Sequence, residues 1–300
     1  MGKKIIITGT SGMVGSYIDK EQWHTDIIKT TRGDFDITNL DQVEAYFTRM
    51  DGQVEAIVHL AAETDVDKCE KDYDLAYLTN TIGTQNMVYQ ALRYDIPILY
   101  VSTLGVFGGD NQMGPFHEYS NPCPPNNYAW TKLYGEEIVQ RHLSKYFIVR
   151  AGWMMGGVDR DKKFIMKVIQ QILDGKKEIF GLEDTIGSPT YAKELLSTIS
   201  RLLKTEWWGI YHSTNNGIMS RYEMAKIICA EIDPEVKVTR VRGDFFKLPA
   251  RRPLSEVSEN RMLTMRGLNQ MSTAEDAIIA YLGEIKKSGL FDVAVKRERI

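Results

Sequence analysis

Short β-branched apolar runs alternate with longer stretches in which apolar residues recur at helical spacing, and this alternation carries through the first half of the chain. Lys4-Ile5-Ile6-Ile7-Thr8, Asp26 to Thr31, Ala56 to Ala62, Ile98-Leu99-Tyr100-Val101 and Tyr146 to Trp153 read as strands. Leu75 to about Tyr94 and Asn127 to about His142 read as helices. Strand and helix in alternation through Arg150 predict an α/β doubly wound parallel sheet over residues 1–150, since parallel neighbours need a crossover, most often a helix. Beyond it, helices are predicted over Phe164–Leu173, Ala192–Leu203, Ser220–Ile232 and Ala274–Lys287, the third opened by the capping box Ser220-x-x-Glu223. They build a smaller C-terminal α/β lobe over 151–300, interleaved with the first domain and not joined to it by a linker.

The ends of the strands carry the chemistry. The first runs into Gly9-Thr10-Ser11-Gly12-Met13-Val14-Gly15, after which Ser16-Tyr17-Ile18 continues at helical spacing. A glycine turn between strand and helix brings backbone close to a pyrophosphate and offers free N–H groups to its charge, so Gly9, Thr10, Ser11, Gly12, Met13 and Val14 are assigned to a dinucleotide. The second strand leads to Arg32 without a carboxylate to hold a ribose 2′-hydroxyl. Thr31 and Arg32 suit a 2′-phosphate, which favours NADP; NAD stays open if Arg32 is only an exposed loop residue. The third strand closes on Leu60-Ala61-Ala62, small residues where backbone passes near a ligand. Tyr128 and Lys132, at i and i+4, share one helix face, where a fixed cation would stabilise a phenolate and lower a pKa of ~10 toward the range useful for proton transfer.

Composition narrows the partners. With 37 basic and 40 acidic residues in 300, a net charge of −3 and no long basic run before residues 295–300, nothing asks for nucleic acid or an anionic membrane. The run 295–300 reads as a solvated tail. No apolar stretch reaches the ~20 residues that span a bilayer, and Met1-Gly2-Lys3-Lys4 leads into a strand and not a signal-peptide core, so a cytoplasmic location is expected. Cys69, Cys123 and Cys229 are scattered and read as reduced thiols; the five histidines are isolated, so no metal site is assigned.

The spacing Gly-x-x-Gly-x-x-Gly, followed in order by Thr103 and Tyr128-x-x-x-Lys132, resembles the extended short-chain dehydrogenase/reductase superfamily. Glu63-Thr64-Asp65-Val66, Phe116-x-Glu118, Asn121-Pro122-x-Pro124, Arg150-x-x-Trp153, Gly187-Ser188-Pro189-Thr190 and Ala250-Arg251-Arg252-Pro253 resemble the dTDP-4-dehydrorhamnose reductases, so the likeness covers almost the whole chain. It implies a Rossmann sheet in which Thr103 orients a carbonyl, Tyr128 protonates it and Lys132 also holds the nicotinamide ribose. It places Asp36 and Ile37 at the adenine, unless Asp36 only caps the helix starting near Leu40, and has Asn80 and Thr81 brace the catalytic strand. Thr64, Val66, Thr103, Trp153 and Arg251 would meet the substrate, Arg251 because guanidinium forks suit diphosphates. Leu104-Gly105 stand where the related dehydratases have Asp-Glu and the rhamnose-type reductases have Asp-Tyr. Without that acid, or the nearby Cys of the epimerase/reductases, ketone reduction is the simplest chemistry. The expectation is an NADP(H)-dependent reductase of a nucleotide-linked 4-keto-6-deoxysugar, with a homodimer as one assembly open to it. Two alternatives remain: a noncatalytic NADP-binding regulatory subunit, and a sugar-nucleotide epimerase or isomerase retaining NAD.

Overall fold

The computed structural model describes residues 2–19, 23, 25–50 and 52–290, so the run 295–300 lies outside the described residues. Strands β1 (Lys4–Thr8), β2 (Asp26–Lys29), β3 (Val54–His59), β4 (Ile98–Thr103) and β5 (Tyr146–Ala151) form one parallel sheet in the order β2-β1-β3-β4-β5. A returning strand, Gly209–His212, adds to the far side of β5. Ile5, Ile6, Ile7, Ile57, Val58, Ile98 and Leu99 are buried to 1% exposure or less because both faces are covered, which is why these strands appear as unbroken apolar runs. Strand order reverses at β1, whose neighbours are β2 and β3, and a ligand crevice opens at such a point beyond the carboxyl ends. Those ends deliver Gly9, Leu60-Ala61-Ala62 and Thr103 to the same edge of the sheet.

Two connections differ from their expected form. The glycine turn is followed by a single 3-10 turn, Val14–Tyr17, and not a full helix. Gly15 is pressed on the Thr10 backbone, where a Cβ would lie 2.3 Å from the carbonyl oxygen, and the Tyr17 hydroxyl is engaged elsewhere by Gly157 N and Glu284. Backbone N–H groups, more than a long helix dipole, are what this turn has to offer. After α1 (Leu40–Arg49) and α2 (Val66–Lys71), the stretch from Leu75 to Tyr94 is likewise broken: α3 (Tyr73–Tyr77) passes through a π turn, Leu78–Ile82, into α4 (Gly83–Tyr94). The extra residue lets Asn80 and Thr81 face inward together, and such π insertions recur at functional sites.

The second half contains helices Phe164–Leu173, Ala192–Leu202, Arg221–Ile232 and Ala274–Lys287, as the periodicity predicts, and the Ser220–Glu223 capping box is formed in both directions. Its own core includes Ile165, Ile169, Ile179, Ile228, Ile278 and Leu282. Leu195, Leu196 and Ile199 of the second helix instead pack with Leu99, Phe147 and Val149 of the central sheet. The chain thus leaves the sheet after β5 and comes back to complete it.

Helix α5 (Asn127–His142) carries the Tyr128/Lys132 pair, starting from Asn126, whose side chain accepts the Ala129 N–H at 3.0 Å. Two contacts seat it. Gly135 lies so close to β4 that a Cβ would stand 2.5 Å from the Tyr100 hydroxyl. Glu136 receives Arg150 of β5 through Nε at 3.0 Å and Nη2 at 2.6 Å, with both side chains buried. Removing one member of such a pair strands the other charge. Glu136→Ala is expected to cost about 3–5 kcal/mol in urea unfolding, with Glu136→Ala/Arg150→Met recovering part of the loss. An unchanged unfolding midpoint in Glu136→Ala would contradict this reading of the pair.

Candidate active site

Thr103 closes β4, and its Oγ1 accepts the Gly105 N–H at 3.0 Å, capping the 3-10 turn Leu104–Val106. Leu104 is fully buried among Val106, Phe107 and Leu133, so that side chain belongs to the core. Tyr128 is half-buried in the first turn of α5, close enough to the Thr103 hydroxyl for that group to favour its phenolate. Burial pushes its phenol well above the ordinary ~10, and the nearby Thr103 hydroxyl offsets only part of that. One turn on, Lys132 is 2% exposed, donates from Nζ to the Val101 carbonyl at 2.9 Å and lies 4.0 Å over the Tyr100 ring. Burial lowers the Lys132 pKa to about 7, against the opposing pull of Glu136 one further turn along. The expectation that Lys132 brings the phenol down is therefore not met in this state. Its ammonium is drawn to Val101 and Tyr100, and desolvation governs Tyr128, leaving a protonated hydroxyl at neutral pH.

A buried polar chain connects this helix to the sheet edge. Thr8 Oγ1 meets His59 Nδ1 at 2.8 Å, His59 Nε2 meets Thr84 Oγ1 at 3.2 Å, and Thr84 Oγ1 donates to the Asn80 carbonyl at 2.7 Å. Burial, with a smaller push from Lys132, lowers the His59 pKa to about 3 and keeps the ring neutral. Asn80 exchanges bonds with the Glu63 backbone, accepting from its N–H at 2.8 Å and donating to its carbonyl at 3.1 Å, and also reaches Thr131 Oγ1 at 3.1 Å. Thr81 donates to the Thr131 carbonyl at 3.0 Å. Asn80 and Thr81 thus brace the catalytic helix, not the strand.

Around the glycine turn, Gly9 has φ +71° and sits where a Cβ would approach Ala61 N to 2.6 Å, so only glycine permits this seating of β1 on β3. Ser11 and Gly12 are exposed, Met13 and Val14 half-buried, and Arg160 of the second half donates to the Thr10 carbonyl at 3.3 Å. Leu60, Ala61 and Ala62 are half-buried at the crevice edge. Asp34 takes the N–H and hydroxyl of Thr31 and leaves Arg32 exposed beside them. Asp36 accepts from Thr38, while Asn39 caps the helix Leu40–Arg49; Ile37 is buried against Gly83. A free glycine backbone, a small-residue wall and an unshielded arginine after β2 fit a dinucleotide carrying a 2′-phosphate.

The remaining expected residues are spread around the other side. Thr64 is exposed and holds Lys163 Nζ through its carbonyl at 2.8 Å; Val66, half-buried, begins the helix Val66–Lys71, capped by Asp65. Trp153 is 8% exposed, in the left-handed region at φ +42°, and donates from Nε1 to Glu256 at 3.1 Å. Arg251 is the outlier: its carbonyl accepts from Asn126, but its guanidinium turns to Asn111 Oδ1 at 2.7 Å on the surface. Glu136, Arg221 and Glu256 were absent from the expected set. Only Glu136 had a local signal, being i+4 from Lys132 on the same helix face. Among the described residues no cluster of three or more His, Cys, Asp or Glu could hold a metal ion, and no helix is long and apolar enough to cross a membrane.

Because the unfolded chain holds the Lys132 proton up to ~10.4 and the folded one releases it near 7, folding expels a proton between those values and stability rises with pH there. Relative to Lys132→Met, the cofactor-free parent should gain up to about 1.4 kcal/mol per pH unit from pH 7 toward 9 in denaturant melts. A gap that is flat or shrinks over that window would show that Lys132 stays charged when buried.

Comparison with known proteins places this geometry. The model of the RmlD substrate binding domain family matches residues 3–286. A dTDP-4-dehydrorhamnose reductase of Mycolicibacterium smegmatis is 28% identical over 293 residues, covering 94% of this chain and 87% of that protein. The crystal structure of dTDP-4-dehydrorhamnose reductase from Bacillus anthracis in complex with NADP superposes with a TM-score of 0.87 at 34% identity, covering 95% of this chain and all of that one. The methionine adenosyltransferase 2 subunit beta of Xenopus tropicalis is 29% identical over 245 residues, 77% of this chain and 72% of its own length. With a family match that runs nearly end to end, this chain belongs to the RmlD substrate binding domain family.

Proposed function

We propose that this protein is an NADPH-dependent reductase of the keto group of a nucleotide-linked 4-keto-6-deoxysugar. The observation that carries the reading is the hydroxyl pair Thr103/Tyr128 at the carboxyl end of β4, facing a crevice suited to a 2′-phosphorylated dinucleotide. NADPH, when bound, supplies the hydride for the carbonyl carbon. Thr103 holds the carbonyl oxygen by its hydroxyl. Tyr128, kept protonated by burial, gives its proton to that oxygen as negative charge develops there. Lys132 supports the phenolate left behind and holds the nicotinamide ribose. Gly9 to Val14 take the pyrophosphate and Arg32 the 2′-phosphate, with Asp36 and Ile37 toward the adenine. Thr64, Val66 and Trp153 lie on the sugar side; Arg251 would reach a diphosphate only after leaving Asn111. The smaller lobe, residues 151–300, adds Trp153 to the sugar side, and the protein acts in the cytoplasm. The exposed rings of Tyr73, Tyr77 and Trp130 on and beside α5 support a homodimer, which light scattering at twice the chain mass would register. The similarity to a methionine adenosyltransferase subunit keeps a noncatalytic role in view, but a complete Thr/Tyr/Lys set would have no use there.

Tyr128→Phe should lower single-turnover NADPH oxidation by ~10²–10⁴ while leaving NADPH affinity intact, because it deletes the acid while cofactor affinity rests on the glycine turn and Lys132. Thr103→Val should damage the same step and Thr103→Ser should be tolerated. Turnover of Tyr128→Phe within about threefold of the parent on an accepted keto sugar would remove Tyr128 as the acid. Fluorescence titration should show tighter binding of NADPH than NADH, and Arg32→Ala should erode that preference; an unchanged ratio would mean Arg32 does not meet the 2′-phosphate.

A further inference from the structure

Beside Tyr128 lies a polar niche that the steps above leave unused. Glu256 stands on the two-residue strand Ser255–Glu256, which pairs with Ile186–Gly187. Its carboxylate accepts from Trp153 Nε1 at 3.1 Å, and Trp153 stands two residues beyond Ala151, the partner of Thr103 across β4 and β5, which brings the niche to the Thr103/Tyr128 end of the sheet. Arg221 opens the helix Arg221–Ile232 and lays its guanidinium 3.5 Å over the Trp153 ring and 4.8 Å over Phe164. The two groups feel each other's charge, yet among the described residues Arg221 forms no ion pair within 4.0 Å. The one hydrogen bond shown for it goes to the Met224 thioether at 3.6 Å, a weak acceptor. A half-buried guanidinium with this little to donate to, next to a carboxylate with acceptor capacity left over, is poised for a ligand.

Trp153 keeps the pair in place. Its backbone is held at φ +42°, a conformation that persists only where surrounding structure enforces it and that clusters at ligand sites. Its ring also abuts Gly187, where a Cβ would come within 2.5 Å of the indole, so the ring has no freedom to retreat from Arg221. The chemistry of the niche excludes charged ligand groups. Glu256 repels an anion and Arg221 repels a cation, while a hydroxyl satisfies both, accepting from the guanidinium and donating to the carboxylate.

We propose that Glu256 and Arg221 are specificity-determining residues that read a ring hydroxyl next to the reacting carbonyl, so that the site selects a hydroxylated keto sugar over its deoxy counterpart. This rests on Tyr128 acting as the proton donor to a sugar ketone. A site built around a substrate hydroxyl leaves its own buried polar groups unpaired when that hydroxyl is missing, which is how large discrimination arises. Trp153 is then a positioning residue.

The test measures kcat and KM of the parent, Glu256→Gln and Arg221→Met with a nucleotide-linked 4-keto-6-deoxysugar and with the analogue lacking the hydroxyl beside the ketone, together with NADPH affinity by fluorescence. Each substitution should lower kcat/KM on the hydroxylated sugar by about 10- to 100-fold, chiefly through KM, and change the deoxy analogue less than about threefold. NADPH affinity should stay within about twofold, since neither residue belongs to the cofactor side. Equal losses on both sugars would mean a merely structural role, and intact discrimination in both variants would also overturn the subsite while leaving the reductase reading standing. If the parent oxidises NADPH with neither sugar, the reductase reading itself fails and the subsite falls with it. Should one variant not fold by circular dichroism, the other decides.

Discussion

The seating of helix α5 rests on the buried pair between Glu136 and Arg150. A pair of this kind gains little over an apolar contact of the same volume, because two charges must leave water. What it supplies is a single permitted arrangement: any slide or rotation of α5 on β5 separates the charges in a medium where that is costly. Tyr128, Lys132 and Glu136 fall at successive turns of one face, so fixing Glu136 fixes the depth of Lys132 and the reach of Tyr128 toward Thr103. Gly135 allows the same helix to lie against the Tyr100 hydroxyl. The arrangement buries a lysine, and its depressed pKa is the direct consequence.

The second constraint ties this helix to the cofactor crevice. Thr8 and His59, at the ends of β1 and β3, connect through Thr84 and Asn80 to Thr131, so the strand ends proposed to border the dinucleotide and the helix proposed to carry the acid share one hydrogen-bonded chain. The π turn at Leu78–Ile82 makes this possible by turning Asn80 and Thr81 inward together. Displacing either end would leave buried polar groups unpaired, so the two halves of the site hold their relative positions.

Much of this was legible in the order of residues, and the exceptions share a cause. The buried strands, the four longer helices described in the second half and the helix ending at His142 follow from local periodicity and capping, which a linear sequence records. The proposed Thr103, Tyr128, Lys132 set came from the i, i+4 spacing of two members and, for Thr103, from the resemblance that places a hydroxyl at this strand end. The π turn was not, since it arises from Asn80, Thr81 and Thr84 finding partners on other elements. Burial of Tyr128 itself raises the phenol that Lys132 was expected to bring down, and burial is a tertiary property. Arg221 and Glu256 lie far from Trp153 in sequence and meet it only through the folding of the second half of the chain.

The central claim is that this site moves a hydride and a proton onto a sugar ketone with net consumption of NADPH. The most direct measurement incubates the purified protein with NADPH deuterated at the transferable nicotinamide position and a nucleotide-linked 4-keto-6-deoxysugar, then analyses the sugar by mass spectrometry and NMR. One deuterium at the former carbonyl carbon, matched by an equal amount of NADP released, is the predicted result. A sugar that returns unlabelled, or is isomerised with no NADPH consumed, would contradict it.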